Sequence, residues 1–150
     1  MNKITFGKYK GKTVKSLMMK QPVYIGWILS QKDLSGPLAV LKDEVIRLIK
    51  IFDSKPIQRY CKICDAEAKY CGVSQRSVFN PYWYCDECDP YAKDIIKTEL
   101  EFIRSYREAI DHCERYSVNK KSALIFIKAI ATAKGLGKRL GKKELDEFFG

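Results

Sequence analysis

Two C-x2-C pairs, Cys61 with Cys64 (CKIC) and Cys85 with Cys88 (CDEC), constrain this chain more than any other feature. A C-x2-C turn aims both sulfurs at one point, and two such turns at the ends of a short hairpin complete a tetrahedron of thiolates. The 20 residues between the pairs, Asp65 to Tyr84, fall within the spacing of four-cysteine zinc sites. Cys61, Cys64, Cys85 and Cys88 are therefore the expected ligands of one structural Zn2+, with iron in a rubredoxin-like site as the alternative, since it accepts the same four sulfurs. Four thiolates leave no open coordination position, so the expected metal folds the segment and performs no catalysis. Disulfides fit less well, because the basic start MNKITFGKYK lacks the apolar stretch of an export signal and the expected compartment is the reducing cytoplasm. Cys71 and Cys113 lack paired spacing and read as buried thiols, with Cys71 as a substitute ligand at most.

The charge is unevenly spread. Residues 1–60 carry 12 Lys and Arg against 4 Asp and Glu, and residues 119–150 carry 8 against 3. Between them, residues 61–90 carry 3 against 5 and residues 91–118 carry 5 against 6, within a net charge of +10. Two basic ends thus flank a mildly acidic middle. Clustered lysine points to a polyanion, because each neutralised phosphate releases a condensed counterion. The cysteine segment is itself acidic, with Asp65, Glu67, Asp86, Glu87 and Asp89, which favours a scaffold or protein-contact role there. No apolar run is long enough to span a membrane, and no membrane partner is expected.

The stretch FGKYKGKT at 6–13 resembles a phosphate-gripping loop, but only Lys8, Tyr9 and Lys10 separate Gly7 from Gly11, where such a loop needs four residues. No nucleotide is expected. Alternating Ile4 and Phe6 around Lys10-Gly11 read instead as a hairpin of two short strands. Residues 15–19 can form a helical turn, Pro22 suits the start of a helix carrying Tyr24, Ile25, Ile28 and Leu29, and Ser35-Gly36-Pro37 breaks the chain. From Leu38 to Phe52, apolar Leu41, Val45, Leu48, Ile49 and Phe52 recur at helical spacing. The cysteine segment, about Tyr60 to Pro90, reads as strand and turn. Beyond it, periodicity predicts one long helix over Tyr91–Tyr116, then a buried helix capped by Asn119 and ended by Gly135-Leu136-Gly137. A basic loop leads to a last short helix presenting Leu145, Phe148 and Phe149. The expected fold is α+β: a hairpin-plus-helices module (1–56), a zinc-ribbon-like insert (57–92) and a helical C-terminal region with a basic tail (93–150).

The segment from Ile4 to Leu29, through FGKYKGK, Pro22, Tyr24, Trp27, Ile28 and Leu29, resembles the small domain at the C-terminus of exodeoxyribonuclease X-like proteins. The resemblance implies a compact module attached to DNA processing. It also implies that Gly7 and Gly11 shape a tight hairpin displaying Lys8, Lys10 and Lys12 around Tyr9. Lysines hold phosphates without reading sequence, and an exposed tyrosine can stack on an unpaired base. Trp27, so near Ile25, Ile28 and Leu29, is expected to pack inward. The spaced acidic residues of the family's nuclease half are missing, so no nuclease is expected. His112 beside Cys113 suggests a ligand or catalytic pair, but adjacent helix positions diverge by about 100 degrees and no third partner is evident.

The expected function is a non-catalytic, zinc-containing nucleic-acid-binding accessory factor, with DNA ahead of RNA. Its contacts would be Lys8, Tyr9, Lys10 and Lys12 in the hairpin and Lys138, Arg139, Lys142 and Lys143 in the tail. The alternative is an adaptor that recruits a nuclease, helicase or polymerase through the acidic ribbon or the Phe148-Phe149 end.

Overall fold

In the computed structural model, residues 3–74, 81–88, 100–116 and 119–150 are described. Over these residues the chain forms α1 (Val14–Lys20), α2 (Pro22–Ser30), α3 (Gly36–Ser54), β1 (Tyr70–Ser74), β2 (Tyr82–Tyr84), β3 (Leu100–Ile103), α4 (Tyr106–Arg115), α5 (Lys120–Ala133) and α6 (Lys142–Phe149). Local chemistry explains most of the boundaries. The Thr13 hydroxyl accepts the Ser16 N–H at the start of α1, Pro22 opens α2, and the Asn119 side-chain Oδ1 accepts the Ser122 N–H at the start of α5. Each bond satisfies an N–H group that a helix start would otherwise leave unpaired.

The expected long helix over Tyr91–Tyr116 is corrected. Residues 91–99 lie outside the described residues, but Leu100–Ile103 is a strand and the helix begins only at Tyr106. Two local signals explain the break. Leu100, Phe102 and Ile103 suit a pleated surface, and Ser105 caps the helix, with the Glu108 N–H donating to Ser105 Oγ at 3.1 Å. The N-terminal hairpin is also smaller than expected. A single Lys3–Thr13 bridge, with Ile4 N–H on Lys12 O and Gly11 N–H on Ile4 O at 2.8 Å each, closes the loop without extended strands.

The three strands form an antiparallel sheet in the order β2-β1-β3. Its register pairs Cys71 with Trp83 and Ile103, and Tyr70 with Tyr84. Because side chains alternate along a strand, Cys71, Val73, Trp83 and Ile103 share one face, while Tyr70, Tyr84, Leu100 and Phe102 share the other. The first face joins the main helical core, and the second joins Cys61 and Cys85 in a smaller apolar cluster. The sheet is thus the wall between the helices and the cysteine site.

The main core runs from Ile4 to Phe149 and contains side chains of all six helices. Leu41, Val45, Leu48 and Phe52 form the buried stripe of α3, while Ala123, Phe126, Ile127 and Ile130 form that of α5. Burial of a side chain the size of Phe52 or Phe126 stabilises by about 1.5–3 kcal/mol. Polar bonds lock the helix ends together across long sequence distances. The Tyr106 hydroxyl donates to Met18 O at 2.7 Å, and Asp53 Oδ1 accepts the Tyr106 N–H at 2.8 Å. Lys134 Nζ donates to Phe52 O at 3.0 Å and to Lys55 O at 3.1 Å, capping the end of α3 from the end of α5. Close approach of α2 and α4 depends on Gly26, since a Cβ there would lie 2.8 Å from the Ile110 side chain and 2.6 Å from that of Glu114. Among the described residues, no helix is long and apolar enough to cross a membrane.

Candidate metal centre and nucleic-acid interface

The first C-x2-C turn is built by short-range main-chain bonds. Asp65 N–H donates to Cys61 O at 3.0 Å, and Cys61 N–H donates to Ala66 O at 2.6 Å. Asp65 takes a φ of 62°, a left-handed conformation that aspartate tolerates better than most residues. The second turn follows β2 directly, so its position comes from the sheet. Together they bring the sulfurs of Cys61, Cys64, Cys85 and Cys88 within 4.8 Å of one another, with Cys64 and Cys85 at 3.6 Å. A zinc–sulfur tetrahedron with bonds of about 2.3 Å has edges of about 3.8 Å, so the set has the size for one tetrahedral ion.

The electrostatics of the four thiols also favour a cation. Burial is the largest influence on Cys61 and pushes its thiol up, but N–H groups of Cys85, Cys64 and Ile63 outweigh it and bring it down to about 6. Ile63 N–H lies 3.4 Å from Cys61 Sγ. Burial and the three neighbouring sulfurs instead push Cys88 up to about 12, because a protein alone cannot hold four adjacent negative sulfurs. A divalent ion removes that conflict, since a coordinating thiol is deprotonated outright. The cluster could therefore hold one metal ion. Arg104 ties it to the sheet, pairing with Asp86 at 2.7 Å and lying 4.1 Å from the Tyr70 ring centre. Both partners of that ion pair are exposed, so it contributes at most about 1 kcal/mol.

Cys71 and Cys113 stand apart from the cluster as buried thiols of the helical core, and burial raises them to about 12 and about 11. His112 is fully buried between the rings of Tyr116 and Phe126, with Nδ1 3.6 Å from Glu101 Oε1. Burial holds its imidazole below the ordinary value. Asp65, Glu67, Asp86 and Glu87 are exposed around the cysteines, and Asp89 lies outside the described residues.

At the N-terminus, Gly7 and Gly11 take φ values of 72° and 86°, which the closed loop requires and glycine supplies without strain. Lys8, Lys10 and Lys12 are exposed, whereas Tyr9 is half-buried with its hydroxyl 3.2 Å from Gln21 Oε1. Residues 4–33 match the family described as Exodeoxyribonuclease X-like C-terminal. This exodeoxyribonuclease X-like segment covers the loop, α1 and α2 and ends just beyond Ser30. No curated protein and no solved structure matches the chain.

Within the exodeoxyribonuclease X-like segment, the expected inward position of Trp27 is corrected: its residue surface is 47% exposed. The buried stripe of α2 uses Pro22, Ile25, Ile28 and Leu29, which leaves positions 24 and 27 on the flank. There Tyr9, Tyr24 and Trp27 form a continuous aromatic row, with ring centres 4.6 Å and then 5.6 Å apart and the last pair stacked at 19°. The Tyr-x-x-Trp spacing was the available signal, since residues three apart on a helix are neighbours. Trp27 is thus the exposed end of the row, stacked on Tyr24, which in turn packs against Tyr9.

Lys138, Arg139, Lys142 and Lys143 are all exposed. α6 packs against α1 and α3, and Lys15 at the start of α1 meets Asp146 of α6 at 3.1 Å. The basic tail is therefore anchored to the helix that directly follows the basic loop. The expected Phe148-Phe149 docking end is not available, because both side chains are buried in the core, where Phe148 meets Phe52 at 5.9 Å.

Proposed function

We propose that this protein is a non-catalytic nucleic-acid-binding accessory factor in DNA processing, with a four-cysteine Zn2+ centre as its scaffold. The observation that carries the reading is the aromatic row ending in exposed Trp27, set in the same small module as the exposed lysines Lys8, Lys10 and Lys12. Aromatic faces take bases without sequence preference, and lysines take phosphates. Lys138, Arg139, Lys142 and Lys143 extend the basic surface from α6. The likeness of residues 4–33 to a domain named for an exodeoxyribonuclease favours DNA over RNA. Zinc is favoured over iron because two C-x2-C pairs at this separation match the spacing of structural zinc sites.

Fluorescence anisotropy of the zinc-loaded protein against single-stranded DNA, duplex DNA and structured RNA over a salt series tests this reading. Binding should weaken steeply with salt. Lys10→Ala/Lys12→Ala should reduce the log–log salt slope by about 1.4 on single strands or about 1.8 on duplex. Trp27→Ala should weaken single-strand binding by about 1–3 kcal/mol while leaving the fold intact. No binding at low salt would refute the reading. It would bring forward an adaptor that docks a partner through the exposed acids Asp65, Glu67, Asp86 and Glu87 of the cysteine turns.

A further inference from the structure

A second surface lies at the β2 edge of the sheet. Between β2 and α5 runs an open groove of about 690 Å³, lined by Arg59, Pro81, Tyr82, Trp83, Ile125, Lys128, Ala129 and Thr132. Its volume falls in the range of about 300–1,000 Å³ typical of ligand-sized clefts. Ile125, Lys128, Ala129 and Thr132 recur every three or four residues and so share one face of α5. Small Ala129 leaves the floor low.

The chemistry of the walls is one-sided. Arg59 and Lys128 supply two cations, the lining contains no carboxylate, and neither cation is ion-paired among the described residues. Tyr82 stands at the rim, 38% exposed, with Lys62 Nζ 3.8 Å from its ring centre. A tyrosine with a cation over its ring, beside two further cations, offers a stacking face and phosphate contacts together. Tyr60, also exposed, precedes the first cysteine turn. The cysteine turns brace this wall, because β2 runs into Cys85 and Lys62 N–H donates to Trp83 O at 2.8 Å.

We propose that this groove receives an unpaired stretch of the bound nucleic acid, with a base against Tyr82 and phosphates at Arg59 and Lys128. The inference rests on the nucleic-acid reading above and adds the substrate class, a single strand. A duplex keeps its bases stacked inside and can offer the groove only phosphates. The cysteine lobe then does more than hold itself together, since it presents one wall of a single-strand site.

The test uses full-length, zinc-loaded protein with two labelled probes, a twelve-nucleotide oligothymidylate and a twelve-base-pair duplex. Lys128→Glu and Tyr82→Ala each alter the groove, and Ala129→Phe fills its floor without changing charge. Lys10→Ala/Lys12→Ala reports on the loop separately. The expected result is a loss of single-strand affinity of about fivefold or more for each groove variant, with duplex affinity changed less than twofold. Tyr82 is exposed and Lys128 half-buried at the groove, so a variant that fails to fold at Ala129 leaves two that report. Unchanged single-strand affinity in Lys128→Glu and Tyr82→Ala, while the loop variant loses it, would overturn the groove and keep the nucleic-acid reading. Equal losses on both probes would also overturn it, as a general charge effect. Wild-type protein that binds neither probe at low salt would overturn both.

Discussion

Replacing Gly72 by alanine sets two effects of similar size against each other, and the structure decides between them. Glycine in a strand interior costs roughly 0.5–1 kcal/mol relative to alanine, so local reasoning expects Gly72→Ala to stabilise β1. Yet a Cβ at this position would lie 2.9 Å from Tyr84 Cε2, 2.9 Å from Leu100 Cδ1 and 3.4 Å from Phe102 Cδ1. Leu100 can yield at its tip. The Tyr84 ring cannot, because it is fully buried and held between Tyr70 and Phe102 with ring centres 5.9 Å and 6.4 Å away. Overpacking of this kind costs typically 1–3 kcal/mol, so the net expectation is destabilisation by about 0.5–2 kcal/mol. Tyr84 adjoins Cys85, so the displaced ring should also loosen the metal site. Thermal unfolding by circular dichroism, together with the rate of zinc loss to a chromogenic chelator, measures both effects. Gly137→Ala is the control, since its Cβ meets nothing within 4 Å. If Gly72→Ala matches or exceeds wild type in stability and holds its metal as long, the packing argument for the cysteine lobe fails.

Other outcomes follow from single contacts. Cys64→Ser should reduce bound zinc from one ion per chain to near none by elemental analysis, while Cys71→Ala should keep one ion, because Cys71 faces the helices. Lys134→Met should lower stability by roughly 1–3 kcal/mol in urea titration, since the carbonyls of Phe52 and Lys55 lose a buried charged donor. His112 introduces a pH dependence with a definite sign. Burial first holds its folded value below the unfolded one, with Arg115 acting the same way and Glu101 opposing. The unfolded chain therefore takes up the proton first, and stability present above about pH 6.5 is lost as pH falls through the folded value. Urea midpoints at pH 7.5 and 5.5 should differ less in His112→Phe than in wild type, and an equal difference would remove His112 from the account.

Short-range chemistry was legible in the residues themselves. The four clustered cysteines follow from two C-x2-C spacings, the first turn closing on its own main chain and the second following β2 directly. Pro22, Asn119 and the glycines of the basic loop likewise act within a few residues, and they stand where the sequence places them. Ser105-x-x-Glu108 carried the same kind of signal and marks where α4 begins, although the apolar periodicity around it suggested unbroken helix. That periodicity misled because Leu100–Ile103 is held as a strand by β1, about 30 residues earlier, a pairing with no local signature. Trp27 is outside for a similar reason: the inward face of α2 was already filled by Ile25, Ile28 and Leu29 packing against helices from both halves of the chain. The sequence by itself determined the pairing of the cysteines, most of the helix starts and the basic ends, since each depends on neighbours along the chain. Only the tertiary structure decided which aromatics remain exposed, how α6 joins the basic tail to α1, and that β2 and α5 enclose a groove. Burial and pairing depend on segments brought together from far apart, and no spacing within one segment encodes them.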